Sequence, residues 1–327
     1  MSPLVEVDDL SVRFVMRDAT VHALNGVSFS VSSGEVLCIL GESGSGKSVT
    51  LRAMLRLLPA HRARVGGMIR IGGEDVLALD NRRLRKLRGG LVSMIFQEPM
   101  TALDPVYTVG SQIAETVMRH RGCSRASARA RALELLEQVK IPEAETRLAS
   151  YPHELSGGLR QRAMIAMALS CGPRLLLADE PTTALDATVQ IQILVLLRRL
   201  QRELGMAIIF VTHDLGVAAE IADRIAVMYA GRIVEQGPVA DVLRAPIHPY
   251  TRGLLASMVH GRQHDGDIEA IPGSPPDLRR LPPGCAFAPR CTRAESDCRV
   301  SVPAAHYPVP GRMARCLRIT GSAVAAQ

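Results

Sequence analysis

The sequence predicts an α/β fold, and two observations carry this prediction. Short apolar segments alternate with stretches of helical periodicity along the first 260 residues, which is typical of buried parallel strands covered by helices. The apolar run VLCIL (36–40) leads directly into the glycine-rich loop GESGSGKS (41–48), and the helical stretch TLRAMLRLL (50–58) follows. This order of strand, glycine-rich loop and helix places the loop at the carboxyl end of a buried strand.

The remaining elements follow from local patterns. Residues 4–40 alternate apolar and polar side chains in short bursts, which predicts an antiparallel strand region before the buried strand VLCIL. Residues 110–150 are rich in Ala, Leu, Glu and Arg, and they predict a helical subdomain at about 100–170. RLLLAD (174–179) and MAIIFVTHD (206–214) predict two more buried strands, separated by the amphipathic helix VQIQILVLLRRLQREL.

A change of composition after residue 260 predicts a domain boundary. The stretch IPGSPPDLRRLPPG is rich in Pro and Gly and cannot continue a helix or a strand. We therefore expect a nucleotide-binding domain over residues 1–260 and a small Cys-rich C-terminal extension over residues 261–327.

Charge and hydropathy exclude several classes of protein. The net charge is +7, but the densest basic cluster, NRRLRKLR (81–88), has no interleaved aromatic side chains, so a solvated helix face is favoured over nucleic-acid binding. No segment is long and apolar enough to predict a membrane span, and the first residues do not resemble a secretory signal. We expect a cytosolic protein that is able to dock on a membrane complex.

The loop GESGSGKS matches the phosphate-binding loop pattern in full. Its glycines allow backbone N–H groups to surround phosphates, and the following helix adds the positive end of its dipole. Lys47 is expected to reach the β- and γ-phosphates and Ser48 to bind Mg²⁺. The sequence therefore predicts an ATP or GTP site, and its contacts are Gly41, Glu42, Ser43, Gly44, Ser45, Gly46, Lys47, Ser48 and Val49.

Two carboxylates supply the other half of the predicted site. Asp179 ends the buried strand RLLLAD, where it is placed to hold the Mg²⁺ shell. Glu180 follows it directly and is predicted to orient and deprotonate an attacking water.

The segment LSGGLRQR (155–162) completes a family pattern. Together with the phosphate-binding loop it resembles the signature of ABC-type ATPases, and further family elements follow in the family's order. These are Gln97 in FQEP, LLLADE, TALD (183–186) with Asp186 in the D-loop, and His213 in VTHD. Two positions depart from the usual pattern, Leu159 in place of glutamine and Thr183 in place of serine, and neither removes a backbone donor or a catalytic carboxylate.

The resemblance implies a site shared between two chains. Leu155, Ser156, Gly157 and Gly158 would face the γ-phosphate of ATP bound to a partner subunit. His213 would hold the γ-phosphate and the attacking water, while Gln97 would contact Mg²⁺ and report the nucleotide state. Phe14 is the candidate for stacking on adenine, with a core aromatic as the alternative.

A finer resemblance is to the ATP-binding subunits of bacterial oligopeptide, dipeptide and nickel importers. It rests on residues 96–110, 156–194 and 213–235 and on HPYTRGLL (248–255). The implied partners are a second, related ATPase, two membrane permeases that dock near residues 97–105, and an extracytoplasmic solute-binding protein. The implied location is the cytoplasmic face of the inner membrane. Peptides are the expected solute. Importers of nickel, opines or glutathione-like solutes, or an ATPase without a transport role, are the alternatives.

Four late cysteines form the last motif, at Cys285, Cys291, Cys298 and Cys316. Four thiolates suit a tetrahedral zinc or an iron–sulfur cluster, and the spacing does not choose between these and unligated thiols. The resemblance to importer subunits with a GC-x-FAPRC tail implies a [4Fe–4S] cluster, with zinc as the alternative.

Overall fold

The computed structural model describes residues 2–98, 102–183, 185–259 and 271–319. Residues 99–101, which belong to the stretch predicted to receive a permease, lie outside the described residues, as does Ala184 of TALD. The described residues mix helices with strands, which confirms the predicted α/β class.

The strands run through the described part of the chain from residue 5 to residue 314. In chain order they are β1 (Val5–Val15), β2 (Thr20–Val31), β3 (Val36–Leu40), β4 (Ala63–Ile71), β5 (Glu74–Asp75), β6 (Val92–Ile95), β7 (Leu175–Asp179), β8 (Ala207–Thr212), β9 (Arg224–Tyr229), β10 (Arg232–Pro238), β11 (His306–Val309) and β12 (Arg312–Ala314).

The helices lie between these strands. In chain order they are α1 (Lys47–Met54), α2 (Asn81–Lys86), α3 (Val109–Arg121), α4 (Arg125–Gln138), α5 (Ala144–Arg147), α6 (Gly157–Leu169), α7 (Ala187–Leu204), α8 (Leu215–Ile221), α9 (Val239–Arg244) and α10 (Pro249–Val259). No helix among the described residues has the length and apolar character to span a membrane.

The chain divides into two compact units. The first unit contains Met1–Val5, Val31–Val36 and Arg70–Val211. Its sheet is parallel, with β6 beside β7 and β7 beside β8. Because every residue of β7 and β8 is buried, these strands are continuous apolar runs rather than alternating ones. Their carboxyl ends lie side by side, with Asp179 opposite Val211.

Helices α3, α4 and α6 are three of the helices of the first unit. Thr108 and Ser124 cap α3 and α4 by accepting hydrogen bonds from backbone N–H groups in the first turn. The small side chains of Ala114 and Ala128, together with Val117, pack into a common apolar cluster. Short side chains at this contact allow helices to approach closely.

The second unit contains Glu6–Ser30, Leu37–Ile69 and Thr212–Gln327. Strand β3 pairs in parallel with β9, β9 pairs antiparallel with β10, and β10 pairs antiparallel with β12, which also pairs with β11. Strands β2, β1 and β4 are neighbours in a second sheet. The pairing of Glu235 with Ala314 brings residues near the C-terminus into the same sheet as the strand that precedes the glycine-rich loop.

Candidate functional site

The glycine-rich loop joins β3, which ends at Leu40, to α1, which begins at Lys47. Gly46 has φ +107°, a left-handed conformation that favours glycine. A Cβ atom on Gly46 would lie 2.7 Å from Leu24 Cδ2 and 2.8 Å from the Ala23 carbonyl oxygen. A Cβ on Gly41 would lie 2.2 Å from the Met228 carbonyl oxygen. The loop therefore depends on glycine at Gly46 for both backbone conformation and space, and at Gly41 for space.

The polar groups of the loop suit a polyanionic ligand. Lys47 is buried, and its Nζ donates hydrogen bonds to the carbonyl oxygens of Gly41 (2.8 Å) and Glu42 (3.0 Å), which hold the ammonium against the loop. Ser45 Oγ is buried and has no hydrogen-bond partner among the described residues. Ser48 and Val49 lie in the first turn of α1, where backbone N–H groups carry the positive end of the helix dipole. These donors fit the phosphates of a nucleotide.

His213 follows the last residue of β8 and is exposed. The next residue, Asp214, caps α8, because its carboxylate accepts hydrogen bonds from the N–H groups of Gly216 (2.7 Å) and Val217 (3.3 Å). The N–H of Asp214 donates to Thr212 Oγ1 at 3.0 Å. The backbone on either side of His213 is thereby fixed between a strand end and a helix start.

In the first unit, Asp179 and Glu180 stand at the carboxyl end of β7. Asp179 is buried, and Glu180 has φ +46°, which is uncommon for a residue with a side chain and concentrates at functional sites. The Glu180 N–H donates to the Val211 carbonyl oxygen at 3.1 Å, and its carboxylate accepts a hydrogen bond from Thr183 Oγ1 at 2.9 Å. The first contact holds the strained backbone of Glu180, and the second orients its carboxylate.

The segment Leu155–Gly158 forms the start of α6. Leu155 is buried, and Ser156 caps the helix by accepting a hydrogen bond from the Leu159 N–H at 3.4 Å. A Cβ on Gly158 would lie 2.8 Å from Val189 Cγ1, so α6 and α7 approach too closely there for a larger residue. Leu159 donates to Ser156 through its backbone N–H. The cap therefore stays intact although leucine replaces the usual glutamine at this position.

Three further predicted residues lie at element boundaries or in a strand. Asp186 caps α7 by accepting a hydrogen bond from the Val189 N–H at 2.9 Å. Gln97 is exposed and lies two residues beyond the end of β6. Phe14 is half-buried in β1.

Comparisons with known proteins agree with this arrangement. The family model described as "ABC transporter" matches residues 24–183, and the one described as "Oligopeptide/dipeptide transporter, C-terminal region" matches residues 234–298. The oligopeptide transport ATP-binding protein OppD of Salmonella typhimurium is 50% identical over 315 residues, which cover 96% of this chain and 93% of the relative. The chain belongs to the ATP-binding proteins of the oligopeptide/dipeptide ABC transporters.

Other relatives and structures agree with this family. The "Probable peptide ABC transporter ATP-binding protein y4tR" of Sinorhizobium fredii is 52% identical over 317 residues, 96% of this chain and 95% of the relative. The dimeric, ADP- and Pi-bound structure of the ATP-binding cassette MJ0796 is 32% identical, has a TM-score of 0.64, and covers 72% of this chain and 98% of its own. The predicted family is confirmed, and the protein is an ABC-type ATPase.

The metal prediction for the C-terminal cysteines is wrong. Cys285, Cys291, Cys298 and Cys316 border a common small cavity. The described residues nevertheless contain no group of three or more His, Cys, Asp or Glu side chains that could hold a metal ion. Burial raises the pKa of the Cys285, Cys291 and Cys316 thiols, which favours the neutral thiol over the thiolate that ligates metals. Neither a [4Fe–4S] cluster nor zinc is supported.

Residue-level reasoning from the sequence missed two side chains that contact the phosphate-binding loop, Tyr250 and Arg290. Tyr250 is fully buried, and Arg290 is buried although it is charged. Both lie within stretches that carry the family resemblance, HPYTRGLL and FAPRC, but no local pattern indicates what they contact.

Proposed function

We propose that this chain is the ATP-hydrolysing subunit of an importer of peptides. The observation that carries the proposal is the match to OppD over nearly the full length of both chains, including the family-specific C-terminal region. The phosphate-binding loop, the carboxylates at the carboxyl end of β7 and the start of α6 would supply the groups that such an ATPase needs. Nickel, opines or glutathione-like solutes are the alternatives to peptides, because the binding protein and the permeases determine which solute is transported.

The phosphate-binding loop is the proposed ATP site. Backbone N–H groups of residues 41–49 would surround the phosphates, and Lys47 would neutralise part of their charge. Ser48, Asp179 and Gln97 are the proposed ligands of Mg²⁺, which when bound supplies neutralising charge at the phosphate oxygens. Phe14 is the proposed contact for the adenine ring.

Glu180 is the proposed general base. Its carboxylate would accept a proton from the attacking water, and His213 would position that water and the γ-phosphate. The strained backbone of Glu180 and its hydrogen bond from Thr183 support this assignment, because they restrict where the carboxylate points.

The start of α6 is the proposed contact for a partner's nucleotide. Ser156, Gly157 and Gly158 would offer backbone N–H groups and a helix N-terminus to the γ-phosphate of ATP on a second ATPase subunit. The placement of Ser156 as the cap of α6 supports this role, because the first turn after a cap carries the unpaired backbone N–H groups and the positive end of the helix dipole. Asp186 would lie in the loop that contacts the partner.

The proposed assembly contains a second, related ATPase subunit, two membrane permeases and an extracytoplasmic solute-binding protein. The chain would sit on the cytoplasmic face of the inner membrane as a peripheral subunit. Residues 1–260 are the proposed nucleotide-binding domain and residues 261–327 the proposed C-terminal extension.

The experiment that tests this proposal is the substitution Glu180→Gln. Loss of a general base lowers the rate by roughly 10²- to 10⁴-fold, so ATP turnover should fall by at least about a hundredfold while ATP binding is retained. In size-exclusion chromatography with the second ATPase subunit, ATP and Mg²⁺, the variant should elute as a stable dimer with that subunit.

Lys47→Ala is the matched control, because it should abolish ATP binding and therefore also the ATP-dependent dimer. If Glu180→Gln hydrolysed ATP at the wild-type rate, the assignment of the catalytic carboxylate would be wrong.

A further inference from the structure

Glu42, the second residue of the phosphate-binding loop, is held by two residues from the C-terminal part of the chain. Its backbone N–H donates a hydrogen bond to Tyr250 Oη at 3.0 Å. Its carboxylate accepts two contacts from Arg290 Nη1, at 2.9 Å to Oε2 and 3.2 Å to Oε1. The loop is therefore fixed at its main chain and at its side chain from residues more than 200 positions away in sequence.

Arg290 is itself rigidly placed. Its side chain is only 7% exposed. Nε donates to the Pro272 carbonyl oxygen at 2.9 Å, Nη2 contacts the Ile271 carbonyl oxygen at 3.4 Å, and Nη1 contacts Tyr229 Oη at 3.3 Å. The guanidinium carbon lies 5.8 Å from the centre of the Tyr229 ring. A planar fork bonded at three nitrogens loses little further freedom when it binds the carboxylate.

An aromatic cluster fixes the segment that carries Arg290. Phe287 lies three residues before Arg290, and its ring centre is 5.3 Å from that of Tyr229 and 5.4 Å from that of Tyr250. The rings of Tyr229 and Tyr250 are 4.6 Å apart. Burial raises the pKa of both tyrosines, so both phenols stay neutral. The residues that hold Glu42 are thus packed against one another.

The charge of Glu42 gives this contact a consequence for nucleotide binding. A carboxylate in a loop that receives phosphates opposes the bound polyanion unless a cation compensates it. Arg290 supplies that cation and fixes the side chain at the same time. Without Arg290, the loop would gain freedom and keep an uncompensated negative charge.

We propose that Arg290 is a positioning residue for nucleotide binding, which acts through Glu42 and makes the phosphate-binding loop depend on the C-terminal part of the chain. The proposal rests on the function proposed above, since it assumes that the loop binds a nucleotide. It predicts that an arginine outside the phosphate-binding loop sets the affinity for ADP and ATP.

The test is a double-mutant cycle on the full chain. The variants are Arg290→Met, Glu42→Gln and both together, with fluorescent ADP titrated to obtain Kd and thermal unfolding recorded without nucleotide. Arg290→Lys is the conservative variant, since it keeps the charge but not the planar fork. Arg279→Met is the matched control, because Arg279 lies in the same region and pairs with Asp277 in an exposed salt bridge.

We expect Arg290→Met to weaken ADP binding about tenfold, which corresponds to about 1.4 kcal/mol. Glu42→Gln should weaken binding less, because it loses the contact that fixes the loop but also removes the negative charge that opposes the phosphates. The double variant should bind no more weakly than Arg290→Met, because the two residues act as a pair. Arg290→Lys should recover part of the affinity, and Arg279→Met should bind like the wild type.

Three results would overturn the inference: wild-type affinity in Arg290→Met, losses that multiply in the double variant, or an equal loss in Arg279→Met. If Arg290→Met does not fold, Arg290→Lys and Glu42→Gln decide the matter, since an unchanged Kd in both contradicts the proposal. Failure of the proposed function would give a different result. In that case the wild type itself would bind no ADP, or Lys47→Ala would bind it equally well.

Discussion

The two glycines of the phosphate-binding loop that have positive φ should differ in their tolerance of alanine. Gly44 has φ +77°, and a Cβ atom added there would meet no atom within 4 Å. Gly46 has φ +107°, and a Cβ there would meet Leu24 Cδ2 at 2.7 Å and the Ala23 carbonyl oxygen at 2.8 Å. Alanine at Gly44 is therefore disfavoured only by its backbone conformation. Alanine at Gly46 is disfavoured by its conformation and also by a clash with a main-chain atom that cannot rotate away.

The magnitudes separate the two variants. A left-handed conformation destabilises a residue with a side chain by about 1–2 kcal/mol. Replacing glycine by alanine also lowers the entropy of the unfolded chain, which stabilises the folded protein by about 0.4–1 kcal/mol. We therefore expect Gly44→Ala to destabilise the protein by about 1 kcal/mol. Overpacking adds about 1–3 kcal/mol, so Gly46→Ala should lose about 3 kcal/mol in total.

The assay is thermal unfolding of the full chain without nucleotide, followed by circular dichroism. At about 2–4 °C per kcal/mol, Gly44→Ala should lower Tm by about 2–4 °C and Gly46→Ala by about 6–12 °C. Nucleotide is left out so that the comparison reports the loop itself rather than ligand contacts. Equal shifts in the two variants, or a larger shift for Gly44→Ala, would refute the reasoning from loop geometry.

Two further predictions concern the second unit. Arg312 and Glu235 form a buried pair at 2.7 Å, with side chains 4% and 0% exposed. Arg312→Met should therefore destabilise the folded protein by about 3 kcal/mol or more, because it leaves a buried carboxylate without its cation. Arg279→Met, at an exposed pair, should change Tm little. Similar Tm values for both variants would contradict this. Burial lowers the pKa of His248 from 6.5 to about 3, so between these values the unfolded state binds a proton that the folded state does not. Stability should therefore fall by up to about 1.4 kcal/mol per pH unit as the pH drops below 6.5. His248→Gln should flatten that dependence in urea unfolding at pH 4–7 while His306→Gln, at an exposed site, should not; an unchanged slope in His248→Gln would count against it.

The strands around the site were predictable because they are uninterrupted apolar runs. RLLLAD contains β7, and MAIIFVTHD contains β8 and ends with His213 and the helix cap Asp214. The first helix was predicted less well. The stretch TLRAMLRLL covers residues 50–58, but α1 runs from Lys47 to Met54. It ends early because Arg56 takes a positive φ of 49°, a backbone conformation that no local apolar pattern reveals.

Long-range contacts were beyond sequence reasoning. The pair formed by Glu42 and Arg290 spans 248 positions, and nothing near either residue indicates the other. The cysteine motif failed for a related reason, since spacing along the chain sets neither the arrangement of the thiols nor the burial that raises the pKa of three of them. The glycine-rich loop could be predicted because a left-handed backbone such as that of Gly46 is a local requirement that favours glycine. The close approach of Met228 to Gly41 and of Leu24 to Gly46 is long-range and gave no local signal.

Uptake of a radiolabelled oligopeptide is the measurement that tests the central claim most directly. It requires cells that lack this chain and every other peptide permease, complemented with the wild type, Glu180→Gln or Lys47→Ala at equal expression. Our account predicts that only the wild type restores uptake, because transport needs both ATP binding and hydrolysis by this chain. Uptake at the wild-type rate with Glu180→Gln, or none with the wild type and its partner subunits present, would contradict it.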